Sequence, residues 1–467
     1  MNALIKLKST LDGKSHILGN KGSTRVSIYT CGITPYDSSH IGHARTILVF
    51  DVLRRLLKSA GLDVLYIQNF TDVDDKIINR ASKEGVEAKD IADRYIAEYF
   101  RDFDSLNILR ADVYTRATDY IDDIRSMIRG LIERGSAYVR DTGVYYDVSS
   151  FEGYGKLSKV RPEALRAGAR VESKDDKDDP ADFALWKLYD SGPLYESEWG
   201  RGRPGWHIEC SAMILKNIGE TVDIHGGGED LIFPHHENEI AQSEAFTGKP
   251  LARIWMHVGL LNLKNEKMSK SLRNTIPVKS FIDQYGPNTL RMLLLSSQYR
   301  NQLEYSEETI AKAKSRWRII EEALYITHRE IDSDNKLNND LTESLQRHLE
   351  RAKMYLMNDL NTPIALGECV LVAEGINSLY SRGLMTKESA VLLDGFRKLT
   401  DVFGFKLPDL SESEIKSIED MITKRNLLRK AGNYEEADRI RSELATKKIE
   451  LLDFKGRTYW KKVEWMP

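Results

Sequence analysis

The stretch CGITPYDSSHIGHAR, residues 31–45, decides the fold. Residues 25–29 before it (RVSIY) alternate polar and apolar side chains and predict a strand. Residues 41–58 after it carry apolar side chains at helical spacing, and this run stops at Gly61, a residue typical of a helix C-terminus. A strand, a short loop and a helix in this order can bind a nucleotide, because the first helical turn offers unpaired N–H groups to an anion.

The same order of elements occurs again immediately afterwards. Residues 64–69 predict a second strand, and Thr71 followed three residues later by Asp74 predicts the start of a helix that continues through Ala81. Strands alternating with helices within the first ~80 residues indicate the α/β class with a parallel sheet. Residues 254–263 predict one more strand of this domain.

Length and composition indicate a protein of several domains without a membrane segment. The chain has 467 residues, of which 30% are charged and 41% are apolar. No stretch approaches 18 consecutive apolar residues, and Lys6 and Lys8 interrupt the short apolar pattern at the start, which predicts neither a membrane span nor a signal peptide. Three cysteines in this length favour a reducing, cytoplasmic location over a disulfide framework.

Charge is distributed unevenly along the chain. The net charge is −3, which does not indicate a nucleic-acid-binding protein. Residues 421–467, however, contain 12 Lys and Arg against 7 Asp and Glu, a local charge of +5. A basic surface of this kind is sufficient to contact phosphates, although a solvated tail would have the same composition.

Two short motifs resemble a known family. Residues 40–43 read HIGH and residues 267–271 read KMSKS, and together they resemble the signature pair of class I aminoacyl-tRNA synthetases. Cys31, Cys210 and the run PHHENE at 234–239 narrow the resemblance to the cysteinyl-tRNA synthetase family, over essentially the whole chain.

The resemblance implies an α/β protein with a Rossmann-type parallel-sheet catalytic domain, a connective-peptide insertion, a helical anticodon-binding domain and a small C-terminal module. The implied boundaries are 1–135 and 201–262 for the two halves of the catalytic domain, 136–200 for the insertion, 263–320 for the KMSKS loop and stem-contact region, 321–405 for the anticodon-binding domain, and 406–467 for the C-terminal tRNA-binding module.

Cys31, Cys210, His235 and Glu239 are the predicted metal ligands. His235 and Glu239 are four residues apart, so they share a face if their segment is helical, and Pro234 suits a first helical turn. Spacing alone leaves His236 open as an alternative, and the resemblance favours His235. Two thiolates, an imidazole and a carboxylate form a plausible site for one Zn²⁺ per chain.

Zinc has a physical purpose in an enzyme that activates cysteine. Cysteine and serine differ only by sulfur against oxygen, and separating them by roughly 10⁴ requires about 5–6 kcal/mol. Zinc stabilises a thiolate strongly, whereas a serine hydroxyl stays protonated at neutral pH and is a weak neutral ligand. The expected role of the metal is therefore selection of the substrate, and no editing domain is expected.

The activation site is assigned partly from residue chemistry and partly from the resemblance. Adenylate formation needs positioning and charge stabilisation, because the cysteine carboxylate is already a nucleophile. The predicted catalytic residues are His40, His43, Lys267 and Lys270; the predicted ATP-binding residues are His40, Gly42, His43, Gly226, Gly227 and Lys270; and the predicted cysteine-binding residues are Thr71, Trp206 and Asp230. Mg²⁺ is expected to accompany ATP.

The predicted function is a cysteine–tRNA ligase. It would activate L-cysteine with ATP, release pyrophosphate, and transfer cysteine to the 3′-terminal ribose of tRNA(Cys), acting as a monomer. One alternative is a ligase that joins cysteine to an amino sugar on the same catalytic core; the helical region after Pro277 and the basic segment speak against it. A non-catalytic RNA-binding paralogue is disfavoured by the intact His40, His43, Lys267 and Lys270.

Overall fold

The computed structural model describes residues 4–18, 25–161, 163–164, 176–263, 266–268, 274–327, 339–386, 389–408, 410–454 and 457–462. The chain divides into two compact units. The first comprises residues 1–278, 299–303 and 357–360, and the second comprises 279–298, 304–356 and 361–467. Within the described residues, no helix is both long enough and apolar enough to cross a membrane.

The first unit contains most of the strands. Its elements are β1 (Ile5–Lys8), β2 (Ser15–Leu18), β3 (Arg25–Ile33), α1 (Ile41–Ser59), β4 (Asp63–Phe70), α2 (Asp75–Glu84), α3 (Ala88–Ser105), β5 (Val113–Arg116), α4 (Ile121–Glu133), β6 (Ala137–Arg140), β7 (Gly143–Tyr146), β8 (Phe183–Leu188), β9 (Gly202–Pro204), α5 (Trp206–Asn217), β10 (Val222–Gly228), α6 (Glu237–Thr247), β11 (Ala252–Val258), β12 (Leu261–Leu263) and β13 (Glu266–Lys267).

A five-stranded sheet forms the centre of this unit, in the order β11-β10-β3-β4-β5. All four strand pairs are parallel. The strand order reverses direction at β3, which lies between β4 and β10, and ligands of such sheets bind at the carboxyl ends of the strands at this point. The predicted α/β class with a Rossmann-type parallel sheet is therefore confirmed.

Helix α1 confirms the prediction from the opening stretch to within one residue at its C-terminus. Its apolar residues are buried, and the chain turns after it through Gly61, which has a φ of +83°. The helix begins with a reciprocal cap, in which the His40 ring accepts from the His43 N–H and the His43 ring accepts from the His40 N–H. The sequence thus places His40 and His43 at the helix start for a local structural reason.

The predicted start of α2 was wrong by three residues. Asp74 is the N-cap and its side chain accepts from the Lys76 N–H at 2.7 Å, whereas Thr71 lies buried just after β4. Thr71 does not cap the helix because its N–H donates to the Ile33 carbonyl of β3 at 3.2 Å. The next residue, Asp72, is held away from the helix as well, since its carboxylate accepts from the Thr118 N–H at 3.0 Å and from the Thr118 hydroxyl at 2.6 Å. This interaction across 46 residues competes with the local capping pattern.

Two other strand regions differ from the parallel sheet. Strands β6 to β9 form a separate antiparallel sheet in that order. The single strand predicted over 254–263 is interrupted, because β11 ends at Val258 and β12 begins at Leu261. Gly259 and Leu260 form the break, and β12 pairs with β13 in an antiparallel hairpin.

The second unit is mostly helical, as predicted. Its elements are α7 (Val278–Tyr285), α8 (Pro287–Leu294), β14 (Leu303–Tyr305), α9 (Glu307–Thr327), α10 (Asn339–Met357), α11 (Thr362–Ser381), α12 (Ala390–Phe403), α13 (Glu412–Lys430), α14 (Tyr434–Thr446), β15 (Ile449–Phe454) and β16 (Arg457–Lys462). Arg425 of α13 is buried and pairs with both carboxylate oxygens of Asp453 in β15, at 2.8 and 2.5 Å. This pair ties the terminal hairpin to its helix.

Candidate active site and metal centre

The four predicted metal ligands meet in the first unit, and we call them the metal-ligand cluster. Cys31 lies on β3, Cys210 on α5 and Glu239 on α6, whereas His235 lies in an irregular turn that leads into α6. One ligand atom from each residue lies within 4.8 Å of the others, and all four side chains are buried. The structure therefore brings together the complete predicted set from three separate parts of the chain.

The contacts within the cluster join sulfur, nitrogen and oxygen donors. Cys31 Sγ lies 3.8 Å from Cys210 Sγ and 3.5 Å from Glu239 Oε1. The same carboxylate oxygen lies 2.7 Å from His235 Nε2. Phe233 is the one residue of this turn with non-helical backbone angles, so His235 already has a helical conformation and lies one turn before Glu239, as expected for a helical segment. This donor set is one that zinc prefers.

The two thiols differ in their readiness to ionise. Burial raises the pKa of Cys31 well above its usual value, and hydrogen bonding with Cys210 adds to this effect. Burial also opposes ionisation of Cys210, but hydrogen bonding with Cys31 and contact with His235 outweigh it and lower the pKa of Cys210 to about 7. Without a metal, the site thus holds one thiolate more readily than two. A bound cation would favour the second.

A second group of potential ligands shares two members with the first, and consists of Cys31, His225, His236 and Glu239. His236 Nε2 lies 3.3 Å from Cys31 Sγ, and His225 Nε2 is hydrogen-bonded to Glu239 Oε2. His236 Nδ1 in turn lies 2.7 Å from His257 Nε2. Histidines in these positions can ligate a metal or orient the residues that do.

Sequence reasoning missed His225 and His257 as neighbours of the cluster. It assigned a role to Gly226 and Gly227, which follow His225, but to neither histidine. The two residues lie on the paired strands β10 and β11, where His225 faces Trp255 and Gly227 faces His257 in the register. Because this proximity arises from strand pairing, no local pattern in the sequence could have indicated it.

His40 and His43 form a half-buried stacked pair at the N-terminus of α1, after β3. Their ring centroids are 3.6 Å apart and the rings are inclined by 21°. In each ring Nδ1 accepts a backbone N–H at 3.3 Å, so the proton of the neutral ring is on Nε2. Both rings are therefore set as donors through Nε2, next to a helix N-terminus that favours anions.

The predicted glycines are required by close packing. A Cβ on Gly42 would lie 2.9 Å from His40 Nδ1, and one on Gly226 would lie 1.9 Å from the Met256 carbonyl oxygen. A Cβ on Gly227 would lie 2.8 Å from Leu231 Cδ1. Gly42 thus leaves room for the capping ring of His40, and Gly226 permits close strand pairing in the sheet.

The predicted cysteine-binding residues lie in three different environments. Trp206, the first residue of α5, is 40% exposed and stacks on His235 with ring centroids 4.2 Å apart. Thr71 is buried, and Asp230 is exposed in the turn that follows β10. Trp206 therefore connects the solvent-facing side of the site directly with one member of the metal-ligand cluster.

The two predicted lysines are described to different extents. Lys267 belongs to strand β13, where it pairs with Asn262 of β12. Lys270 lies outside the described residues.

Comparison with known proteins first defines the class. The family model for the tRNA synthetases class I (C) catalytic domain matches residues 18–315. The fold is similar to that of Mycobacterium tuberculosis methionyl-tRNA synthetase in complex with methionyl-adenylate, with a TM-score of 0.60 and 17% identity, covering 81% of this chain and 89% of that one. A putative arginyl-tRNA synthetase from Campylobacter jejuni gives a TM-score of 0.54 at 15% identity, with coverage of 82% and 92%.

Curated relatives then define the family. Cysteine–tRNA ligase from Aquifex aeolicus (strain VF5) is 42% identical over 492 residues, covering 98% of this chain and 99% of the relative. Cysteine–tRNA ligase from Geobacillus sp. (strain WCH70) is 44% identical over 464 residues, with the same coverage. The chain belongs to the cysteine–tRNA ligase family of class I synthetases. The resemblance seen in the sequence is confirmed, and the alternative of an amino-sugar ligase receives no support from these relatives.

Proposed function

We propose that the chain catalyses the ATP-dependent joining of L-cysteine to tRNA(Cys), by way of cysteinyl-adenylate. The observation that carries this proposal is the presence of two sites at the carboxyl end of the same strand, β3. The metal-ligand cluster includes Cys31 of β3, and the His40–His43 pair follows β3 at the start of α1. One site is chemically suited to a thiol and the other to a phosphate.

In this proposal Cys31, Cys210, His235 and Glu239 hold a zinc ion. The donor set fits zinc. Access from solvent favours this set over the alternative group of Cys31, His225, His236 and Glu239. Trp206 stacks on His235 and is partly exposed, whereas the rings of His225 and His236 pack against the buried Trp255. Zinc bound there would hold the substrate sulfur as a thiolate, which a serine hydroxyl does not readily form.

The chain's own residues prepare this site in two ways. His225 lies 3.0 Å from the Tyr29 carbonyl oxygen through Nδ1 and contacts Glu239 through Nε2, which fixes the orientation of that carboxylate. Trp206 covers His235 and forms the wall against which the substrate would lie. Thr71 and Asp230 are proposed to bind the remaining polar groups of cysteine, with Asp230 as the partner of the ammonium.

The ATP site is proposed to form around the His40–His43 pair. Donation from Nε2 of both rings would stabilise charge on the phosphate oxygens as pyrophosphate departs. Lys267 and Lys270 are proposed to supply positive charge to the same group, and Gly226 and Gly227 to border the nucleotide. Mg²⁺ would accompany ATP as a counterion.

The remaining proposals concern the cellular setting and the RNA. A reducing cytoplasm suits a site with two sulfurs 3.8 Å apart, because it keeps both thiols available to a metal. The helical region at 321–405 and the C-terminal module at 406–467, which contains the basic segment 421–467, are proposed to contact tRNA(Cys). The domain boundaries and the monomeric state stay predictions.

Single-turnover charging of total tRNA with labelled cysteine or serine tests the function. We expect transfer of cysteine to tRNA and discrimination against serine of roughly 10⁴. Transfer of cysteine to an amino sugar without tRNA charging would instead favour the alternative ligase. Lys270→Ala should lower cysteine-dependent pyrophosphate exchange by orders of magnitude, and exchange at the wild-type rate would refute the role of this lysine.

A further inference from the structure

Arg45 connects the helix of the His40–His43 pair with the hairpin that contains Lys267. It lies on α1 two residues after His43 and is 1% exposed. Its guanidinium donates to three backbone carbonyl oxygens: Gly259 at 2.8 Å, Leu260 at 2.7 Å and Asn301 at 2.5 Å. Gly259 and Leu260 form the break between β11 and β12, so this contact fixes the first residues of the hairpin.

The same break is held from its other side. The Leu260 N–H donates to Glu229 Oε1 at 3.2 Å, and the Gly259 N–H donates to the Tyr299 carbonyl at 2.8 Å. A Cβ on Gly259 would lie 2.5 Å from the Asn301 carbonyl oxygen, so the segment fits closely in place. Glu229 directly follows β10, and the hairpin is therefore tied to β10 as well as to α1.

The chain also returns to α1 after the hairpin. The Ile41 N–H donates to the Ile276 carbonyl at 3.0 Å, and the Val278 N–H donates to the Ser39 carbonyl at 2.9 Å. His40 and Pro277 form an antiparallel bridge between these two hydrogen bonds. Described segments on both sides of the KMSKS motif are thus bonded to residues 39–45.

A buried arginine is energetically unfavourable at a position that serves only for packing. The Arg45 guanidinium is hydrogen-bonded to carbonyl oxygens and not to a carboxylate, and burial of a charged group in such surroundings is unfavourable. The guanidinium of arginine, however, is planar and carries five N–H donors, so it can bind several carbonyl oxygens at fixed angles. That property fits a residue that must hold one segment in an accurate position relative to another.

We infer that Arg45 is a positioning residue for ATP activation, which sets the hairpin of Lys267 at the correct distance from His40 and His43. The inference rests on the proposed function. It predicts that Arg45 increases the rate of adenylate formation, the step in which pyrophosphate leaves ATP. Arg45 should be dispensable for the later transfer of cysteine to tRNA. A misplacement of about 1 Å between reacting groups costs roughly 100-fold in rate.

The test is Arg45→Lys, which keeps the charge but replaces the fork with a single compact ammonium. We expect kcat for cysteine-dependent pyrophosphate exchange to fall about 10- to 100-fold. KM for cysteine should stay within about twofold and zinc content should not change. Transfer to tRNA from adenylate that has already formed on the enzyme should proceed at the wild-type rate.

Arg54→Lys is the matched control. Arg54 is also buried on α1 and donates to backbone carbonyls, including Leu109 at 3.4 Å, and it pairs with Asp112. Arg54→Lys should lower the stability of the protein without changing the ratio between the rates of pyrophosphate exchange and of transfer to tRNA. Exchange at the wild-type rate in Arg45→Lys, or equal losses in both steps, would overturn the inference.

A second variant covers the case in which Arg45→Lys does not fold. Glu229→Ala removes the acceptor of the Leu260 N–H and should slow exchange about three- to tenfold while leaving transfer unchanged. If Glu229→Ala slows both steps or neither, the inference fails. If the wild-type chain shows no cysteine-dependent exchange, the proposed function fails instead.

Discussion

The metal-ligand cluster and the His40–His43 pair both depend on β3, yet they are constructed in opposite ways. The cluster is buried and collects its members from three parts of the chain. The pair is half-buried, comes from four consecutive residues, and is held by its own helix cap. The first site is formed by tertiary structure and the second by local structure.

This difference follows from what each site is proposed to bind. Selection of a thiol requires charged donors away from water, so each donor needs partners within the protein, as Glu239 has in His225 and His235. ATP is large and must enter and leave, so its donors stay near solvent and need only a fixed orientation. We therefore expect substitutions in the two regions to affect different quantities.

The largest expected effect is on metal binding in Cys210→Ser. Four-ligand zinc sites have apparent binding free energies of about 10–16 kcal/mol, which corresponds to about 2.5–4 kcal/mol per ligand. Zinc affinity should therefore fall roughly 100- to 1,000-fold, measured by competition with a chelator. Cysteine activation should be lost with the metal.

Cys369→Ser is the control for this substitution. Cys369 is completely buried in α11 and does not belong to either group of potential ligands. Its replacement should cost stability while zinc content stays at one per chain. Full zinc occupancy in Cys210→Ser would remove Cys210 from the ligand set.

His43→Asn should produce the opposite pattern. Loss of one preorganised donor to a developing charge costs about 100-fold in kcat, so pyrophosphate exchange should fall by about this factor. Zinc affinity should be unchanged, because His43 lies in the local site. His348→Asn, which removes a histidine paired with Glu368 in the second unit, should leave exchange intact. A loss of zinc in His43→Asn would contradict the separation of the two sites.

His225→Asn sharpens the comparison within the buried region. If His225 orients Glu239, zinc affinity should fall about 10- to 30-fold, as is typical for an outer partner of a metal ligand. His257 contacts His236 and not one of the four predicted ligands, so His257→Asn should lower zinc affinity by a smaller factor. If His225→Asn removes zinc entirely while Cys210→Ser retains it, the metal occupies the alternative group.

Gly42→Ala should have the smallest effect. The added Cβ would meet the His40 ring at 2.9 Å and disturb the helix cap, and loss of a cap costs about 1 kcal/mol of unfolding free energy. Denaturant unfolding should show this loss, with exchange lowered about fivefold. Gly367→Ala is the control, since no atom lies within 4 Å of its Cβ position in helix α11. It should instead stabilise the protein, because alanine favours a helix interior over glycine.

The sequence predicted what depends on neighbouring residues. Helix α1 and its polar start were correct because capping and apolar spacing are local properties. The start of α2 was wrong because Thr71 bonds to Ile33 of β3 and Asp72 bonds to Thr118, which is 46 residues away. The break at Gly259 and Leu260 was missed for a related reason, since those residues are held by Arg45 and Glu229.

The same distinction applies to the candidate site. The four metal ligands were named from the family resemblance, and spacing alone did not separate His235 from His236. The arrangement around them depends on the register of β10 with β11, which brings His225 and His257 near the cluster. Such register-dependent neighbours cannot be read from a single chain without knowing the sheet order.

The most direct measurement compares activation of cysteine and serine by the purified chain with and without zinc. With the metal bound, the ratio of kcat/KM for pyrophosphate exchange should favour cysteine by roughly 10⁴. After removal of zinc by a chelator the preference should nearly disappear, and it should return when zinc is restored. A metal-free chain that still rejects serine would contradict the account.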